Sequence, residues 1–295
     1  LSDTEVALPL PVLAPEAAAG AAAPNPAIPA AMVAAIAFTS GSTGEPRPHA
    51  KPWGALVAGA RAAAERFAVA PGTSIVGTVP AQHMYGFETT LLLPLQGAGA
   101  GHAGAVFYPS DVAEALAAVP APRLLVTTPL QLRALLGTGI ALPAVSAIIS
   151  ATAPLADSLA AQAEAAFGAP VLEIYGATEA GSIASRRTLE GEAWSPYPGV
   201  AFAIGDNRAE VTVPGLPAPV PLSDVLEPAG GDRFRLVGRQ GDMVKLAGKR
   251  ASLAGLGKIL SDVEGVREAM FLAPEDLDHN PRARLAAFVV APGMS

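Results

Sequence analysis

The stretch from Phe38 to Lys51, FTSGSTGEPRPHAK, gathers the hydroxyls of Thr39, Ser40, Ser42 and Thr43 around Gly41 and Gly44. Glycine lets main-chain N–H groups come close to phosphate oxygens and the hydroxyls add donors, so such a loop can cradle a polyphosphate. It is not a Walker A loop, which ends in Gly-Lys-Ser or Gly-Lys-Thr, because Gly44 is followed by Glu45 and Pro46. Taken alone, the stretch makes an equally good polar surface turn. A second stretch, Glu173 to Gly181, reads EIYGATEAG at the end of an apolar run. A ring such as Tyr175 can stack on a base, a hydroxyl such as Thr178 can bond a phosphate, and a carboxylate such as Glu179 can hold a hard cation. Singly, a loop tyrosine and glutamate are more often structural. The third stretch, Arg233 to Arg250, reads RFRLVGRQGDMVKLAGKR, and its pattern alone indicates a glycine-punctuated hairpin with solvated charges.

The elements that must position these stretches show as an alternation. Apolar or β-branched runs at Val33 to Phe38, Ser74 to Val79, Ala105 to Tyr108, Leu124 to Thr127, Val145 to Ser150 and Val171 to Tyr175 predict strands. Alanine-rich stretches at Pro52 to Ala68, Ser110 to Val119, Pro129 to Leu136 and Leu155 to Phe167 predict helices, the first opened by a proline at an N1-like position and the last closed by Gly168. That alternation means an α/β fold with a largely parallel sheet, and it would put Tyr175, Thr178 and Glu179 at the carboxyl ends of strands, where such sheets bind ligands. Beyond about residue 198, short strands at Val200 to Ile204, Ala209 to Val213, Arg233 to Val237 and Met243 to Leu246 suggest a β-rich lobe, with a hinge at Gly238 to Gly241. A helix near Leu253 to Val263 and strands near Ala269 to Ala273 and Leu285 to Ala291 suggest the start of a small α+β domain. The expected division is an Ala/Pro-rich lead-in over 1–31, an α/β region over 32–198, the β-rich lobe over 199–240 and an incomplete C-terminal domain over 241–295.

Composition narrows the function classes. The 295 residues suggest roughly two domains, and with no cysteine they offer no disulfide, thiol nucleophile or thiolate-bound metal. His49, His83, His102 and His279 lack the spacing of a metal site. A net charge of -7 and the absence of a Lys/Arg run argue against nucleic acid or an anionic membrane as partner. The uncharged stretch Ala17 to Gly44 is interrupted by Pro24, Pro26 and Pro29, and Thr89 to Ser110 by Pro94 and several glycines, so no membrane span is expected. The first basic residue is Arg47, so no secretory signal is read and a cytoplasmic location is expected; the chain opens on Leu1 and reads as an internal piece or a processed product.

In this order, FTSGSTGEP, YGATEAG and GRQGDMVKLAGKR resemble the three signatures of the adenylate-forming superfamily of acyl-CoA synthetases, peptide-synthetase adenylation domains and luciferases, over about residues 33–290. The resemblance implies ATP-dependent activation of a small-molecule carboxylic acid as an acyl-adenylate, then transfer to the thiol of coenzyme A or of the phosphopantetheine on an acyl carrier protein. It implies that Thr39, Ser40, Gly41, Ser42, Thr43 and Gly44 wrap the β- and γ-phosphates and that Tyr175 lies against adenine. Thr178 would then bond the α-phosphate, Glu179 would hold Mg2+, Asp224 would take the ribose hydroxyls, and Arg239 would reach ribose and phosphate. SATAPL, Ser150 to Leu155, resembles the adenine loop, which brings in Thr152 and Ala153, with Ala151 and Thr152 in place of the family's glycines. PAQHMYG, Pro80 to Gly86, resembles the segment that gates the acyl tunnel, with His83 as the gate or, equally simply, a satisfied loop histidine.

Departures from the pattern matter too. Arg47 stands where the family usually has lysine, and none of Lys51, Lys245, Lys249 and Lys258 sits in the Gly-Lys context of the family's C-terminal catalytic lysine. Only 38 residues precede Thr39, so the chain reads as the central part of a longer enzyme, or as a nucleotide-binding module without full chemistry. Lys245, Lys249 and Arg250 would approach the phosphates of coenzyme A or form a solvated face. The variant SGSTGEPRPHAKPW is closest to acyl or aryl acid ligases found beside bacterial fatty-acid and aryl-polyene pathways.

Overall fold

A computed structural model of the chain describes residues 26–39, 47–205, 208–246, 249–274, 277, 280 and 283–292. Chain contacts begin before the first strand: Met32 N–H donates to Pro29, and Gly54 N–H to Ala30. An antiparallel ribbon of β1 (Val33–Thr39) and β2 (Arg47–Pro52) leads into α1 (Trp53–Arg66). Pro52 closes β2 and is the N-cap of α1 rather than its first residue, because the ribbon register already places it opposite Val33. Leu56, Ala60, Ala63 and Phe67 recur on one face and are buried, and the small alanines let the helix approach the sheet closely.

β3 (Ser74–Gly77) is followed by a helical run made of α2 (Met84–Gly86), a π-helical stretch (Phe87–Leu92) and α3 (Leu93–Gln96), then by the short β4 (Ala100–Gly101). The expected strand at Ala105 to Tyr108 is absent. There Phe107 and Tyr108 N–H both donate to the Asp111 carboxylate at the start of α4 (Pro109–Ala118), so the main chain is occupied by a helix entry and not by a ladder. Next come β5 (Arg123–Thr127), α5 (Pro129–Leu136), β6 (Ala147–Ser150), α6 (Asp157–Phe167) and β7 (Val171–Ala177). Gly168 ends α6 with φ 63° and its N–H on Glu164, the left-handed cap that glycine adopts without strain.

After β7 the chain turns back antiparallel: β8 (Gly181–Arg187), β9 (Ala193–Pro196), then a separate three-stranded sheet of β10 (Ala201–Ile204), β11 (Ala209–Thr212) and β12 (Val220–Leu222). β13 (Asp224–Pro228) and β14 (Phe234–Arg239) rejoin the main sheet, whose order is β13-β14-β9-β8-β7-β6-β5-β3-β4. From β4 to β7 every neighbour is parallel, and from β7 to β13 every neighbour is antiparallel. The C-terminal part holds the ribbon β15 (Met243–Leu246) with β16 (Lys249–Ser252), α7 (Leu253–Ser261), and the ribbon β17 (Glu268–Leu272) with β18 (Ala286–Val290). No helix among the described residues is long and apolar enough to cross a membrane.

The parallel half is buried on both faces, which is why its strands read as unbroken apolar runs. Val76, Leu125 and Ile148 point to one side and pack with residues of α4, α5 and α6; Ile75, Leu124, Val126 and Ile149 point to the other and pack with α1 and α3. The loop after β6 is tied to this core by one buried carboxylate. Glu173 on β7 accepts Leu155 N–H through one oxygen, and Arg186 Nε (2.7 Å) and Thr188 Oγ1–H (3.0 Å) through the other, while Arg186 lies 4.7 Å from the Trp194 ring centre. Breaking a buried pair strands its partner, so Glu173→Ala should cost about 3–5 kcal/mol. Arg187→Ala, which removes a half-exposed partner of Glu164, should cost only about 1 kcal/mol. Urea unfolding of the two variants checks the contrast, and equal losses would contradict it.

Candidate functional site

Three residues widely separated in sequence come together where a side chain of β7 reaches across the intervening β8, β9 and β14 to β13. Tyr175 Oη–H donates to Asp224 Oδ2 at 2.8 Å, and Arg239, opposite Asp224 in the β13–β14 register, places Nε 3.7 Å from Oδ1. Tyr175 is 6% exposed, with its ring set edgewise against Phe234 and tilted on Trp194. Its ring therefore belongs to an aromatic core, and its polar end reaches the site through Asp224. Arg239 extends into solvent, its side chain 78% exposed. Burial pushes the Asp224 carboxyl above the ordinary aspartate value, opposed by the Tyr175 hydrogen bond and the Arg239 charge and reinforced by the charge of Glu179. Burial likewise raises the Tyr175 phenol, aided by the Asp224 charge.

Glu179 sits in the turn from β7 to β8, which closes with Ala180 N–H on Ala177. Its carbonyl oxygen accepts a 2.9 Å hydrogen bond from Lys51 Nζ on β2. Lys51 is 3% exposed, and burial lowers its pKa against the opposing pull of the Glu88 and Glu179 charges. Glu88, in the π-helical stretch, accepts both the main-chain N–H and the hydroxyl of Ser182, and burial raises its carboxyl. The end of the turn favours glycine: Gly181 has φ +83°, a backbone that other residues adopt only under strain, and a Cβ there would crowd Glu88 Oε1 at 2.5 Å.

His83 is exposed at the entry to α2, and Phe87 N–H donates to its carbonyl. Two residues on, the Tyr85 hydroxyl lies 2.9 Å from the carbonyl of Thr127 and 3.1 Å from that of Ile149, which fixes this segment over the carboxyl ends of β5 and β6. Thr152 and Ala153 are exposed in the loop that follows β6, and Thr178 is half-buried beside Glu179. Thr39 ends β1, whereas Ser40, Gly41, Ser42, Thr43 and Gly44 lie outside the described residues, as does His279. The side chains that the sequence reading did not single out are Lys51, Glu88 and Ser182. A lysine at a strand end and a glutamate in a polar helical turn carry no spacing signal; only their burial marks them.

Comparison with known proteins places the chain in a class. Residues 3–232 match the AMP-binding enzyme family, and the chain belongs to that family. It is 34% identical over 261 residues to a 4-coumarate-CoA ligase of Rhodobacter capsulatus, covering 87% of this chain and 63% of that protein. It is 31% identical over 267 residues to a 4-coumarate-CoA ligase of Halorhodospira halophila, covering 85% and 62%. Among solved structures, ATP-bound MatB from Rhodopseudomonas palustris aligns with a TM-score of 0.77 at 20% identity, over 90% of this chain and 59% of that one. The o-succinylbenzoate coenzyme A synthetase of Bacillus subtilis with AMP gives 0.75 at 17%, over 89% and 60%. The chain thus spans about three fifths of the length of the relatives it matches.

Two outcomes follow. Thr152 has φ 81°, which a β-branched residue adopts only under strain. Thr152→Gly should relieve about 1–3 kcal/mol, offset by about 0.5–1 kcal/mol of glycine entropy, and so raise Tm by about 2–4 °C; a lower Tm by calorimetry would contradict the strain. For Asp224, a folded pKa raised above the unfolded value of 3.8 means that stability is fully present below that value and is lost as pH rises through the raised one. Asp224→Asn, which keeps an acceptor for Tyr175, should therefore be more stable than the unliganded wild type at neutral pH, with the advantage vanishing below about pH 4. Thermal melts across that window check the sign.

Proposed function

We propose that this chain carries the nucleotide and acid site of an AMP-forming acid-thiol ligase, which activates a carboxylic acid with ATP and passes the acyl group to the thiol of coenzyme A or of a carrier-protein phosphopantetheine. The observation that carries the reading is the Tyr175–Asp224–Arg239 cluster beside Glu179, in a chain that belongs to the AMP-binding enzymes. A carboxylate buried on one side and held by a phenol is pre-set to accept hydrogen bonds from the two ribose hydroxyls. An exposed guanidinium beside it offers charge and a planar fork to ribose and α-phosphate. Thr178 donates to the α-phosphate, the loop Thr39 to Gly44 wraps the β- and γ-phosphates, and the exposed Thr152–Ala153 loop borders adenine.

The donor set fits magnesium. Mg2+ takes one or two carboxylates, keeps several waters and shares phosphate oxygens, so a single Glu179 suffices, and no cluster of three or more acidic or histidine side chains is found among the described residues. When bound, the ion supplies charge neutralisation between two anions.

In the first step an oxygen of the acid attacks the α-phosphorus, the bond from that phosphorus to the bridging oxygen breaks, and pyrophosphate leaves with the electron pair. Positioning and charge neutralisation supply the rate, since the attacking carboxylate and the phosphates repel each other. In the second step the thiol sulfur attacks the acyl carbon, the thiol proton is lost and AMP departs. His83, on the rim fixed by Tyr85, gates entry of the acid. Aryl acids are the first class to test, because both curated relatives are named for 4-coumarate.

Exchange of labelled pyrophosphate into ATP, measured with aryl, fatty and amino acids including 4-coumarate, tests the reading. Exchange should depend on one acid class and fall at least about tenfold in Glu179→Ala at moderate magnesium. Nucleotide binding without exchange for any acid would replace the ligase with a nucleotide-binding module, and exchange undiminished in the variant would remove Glu179 from the metal site.

A further inference from the structure

The buried link between the phosphate-loop exit and the Glu179 turn has a use that the cluster around Asp224 does not explain. Lys51 leaves β2 five residues after Pro46, is buried, and reaches a main-chain carbonyl 128 residues away. An ammonium taken out of water costs several kcal/mol unless it is paired and hydrogen-bonded. What the lysine gains is a specific address: the carbonyl of Glu179, the residue whose charge acts on Asp224. Glu88 completes the arrangement, since it compensates the Lys51 charge and grips Ser182 through N–H and hydroxyl, three residues beyond Glu179. The turn Thr178 to Ala180 is thereby held from both sides, by β2 at Glu179 and by the π-helical stretch at Ser182. Gly181 lets Glu88 come that close.

We propose that Lys51 is a positioning residue that fixes Glu179, and through it the metal-dependent half of the nucleotide site, relative to the strand leaving the phosphate loop. The inference rests on the functional reading above and adds to it a residue that acts through the main chain rather than on the ligand. The link joins the phosphate side of the site to the Glu179 side and leaves the Tyr175–Asp224 pair untouched. Its loss therefore separates two affinities that global destabilisation would lower together.

The test is calorimetric titration of AMP and of MgATP into the wild-type chain, Lys51→Met and Lys51→Arg, each with its melting temperature. Removing a charged donor from a carbonyl should weaken MgATP about tenfold in Lys51→Met, while AMP, which needs no metal, stays within about twofold. Lys51→Arg, which keeps charge and donors, should bring MgATP back to within about threefold of wild type. If MgATP binding is unchanged in Lys51→Met, or if AMP and MgATP weaken in parallel with a falling melting temperature, the positioning role is overturned and Lys51 is only a packing element. Failure of the wild-type chain to bind either nucleotide would overturn the functional reading, and this inference with it. That outcome is told apart because it appears before any variant is compared.

Discussion

The hydrogen bond from Tyr175 to Asp224 is the contact on which the site depends. It joins the last buried side chain of β7 to the first residue of β13, 49 residues on, across the intervening strands of one sheet. On the β7 side the phenol is clamped by Trp194 and Phe234; on the β13 side the carboxylate faces Arg239 through strand register. Burial makes the bond costly to leave unmade and sets the carboxyl's protonation against neighbouring charge. The parallel half of the sheet can present strand ends, but only its antiparallel continuation brings Asp224 and Arg239 to them.

The charges around this contact are unusual for a site proposed to receive a polyphosphate. Asp224, Glu179 and Glu88 lie close enough to act on one another's partners, and the cations described beside them are Lys51, buried on a carbonyl, and Arg239, extended into solvent. Such an arrangement suits hydroxyls and a divalent cation better than bare phosphate oxygens. On the proposed reading the phosphates are left to main-chain N–H groups of the loop before β2, to Arg239 and to the ion. Beneath Tyr85, Thr78 bonds both Thr127 and Gln131, and Glu173 ties the loop after β6 to β7 and β8.

The parallel strands were legible because burial on both faces writes unbroken apolar runs, and α6 was legible because its apolar face ends at a glycine that takes the left-handed cap. The run Ala105 to Tyr108 has the same composition without the same environment: Phe107 and Tyr108 are exposed and their N–H groups serve Asp111. β8 was not anticipated, because Ser182, Ser185, Arg186 and Arg187 look like solvent-facing residues until Glu88, Arg66, Glu173 and Glu164 respectively are found facing them. β2 was hidden by its two prolines, which an edge ribbon tolerates. Of the candidate site residues, Tyr175, Asp224 and Arg239 do lie together, but the motifs could not say that the ring is core and only the hydroxyl faces Asp224. Lys51 and Glu88 depend on contacts across the fold that no local spacing encodes.

The most direct test of the account is whether Asp224 reads the ribose. Binding of AMP and of 2′,3′-dideoxy-AMP should be compared in the wild-type chain and in Asp224→Asn. Two charge-assisted hydrogen bonds lost from a buried acceptor should make the wild type prefer AMP by about 100-fold or more, and the variant should lose most of that preference. Equal affinity of the wild type for the two nucleotides, or the same preference in the variant, would contradict a ribose site at the Tyr175–Asp224 bond.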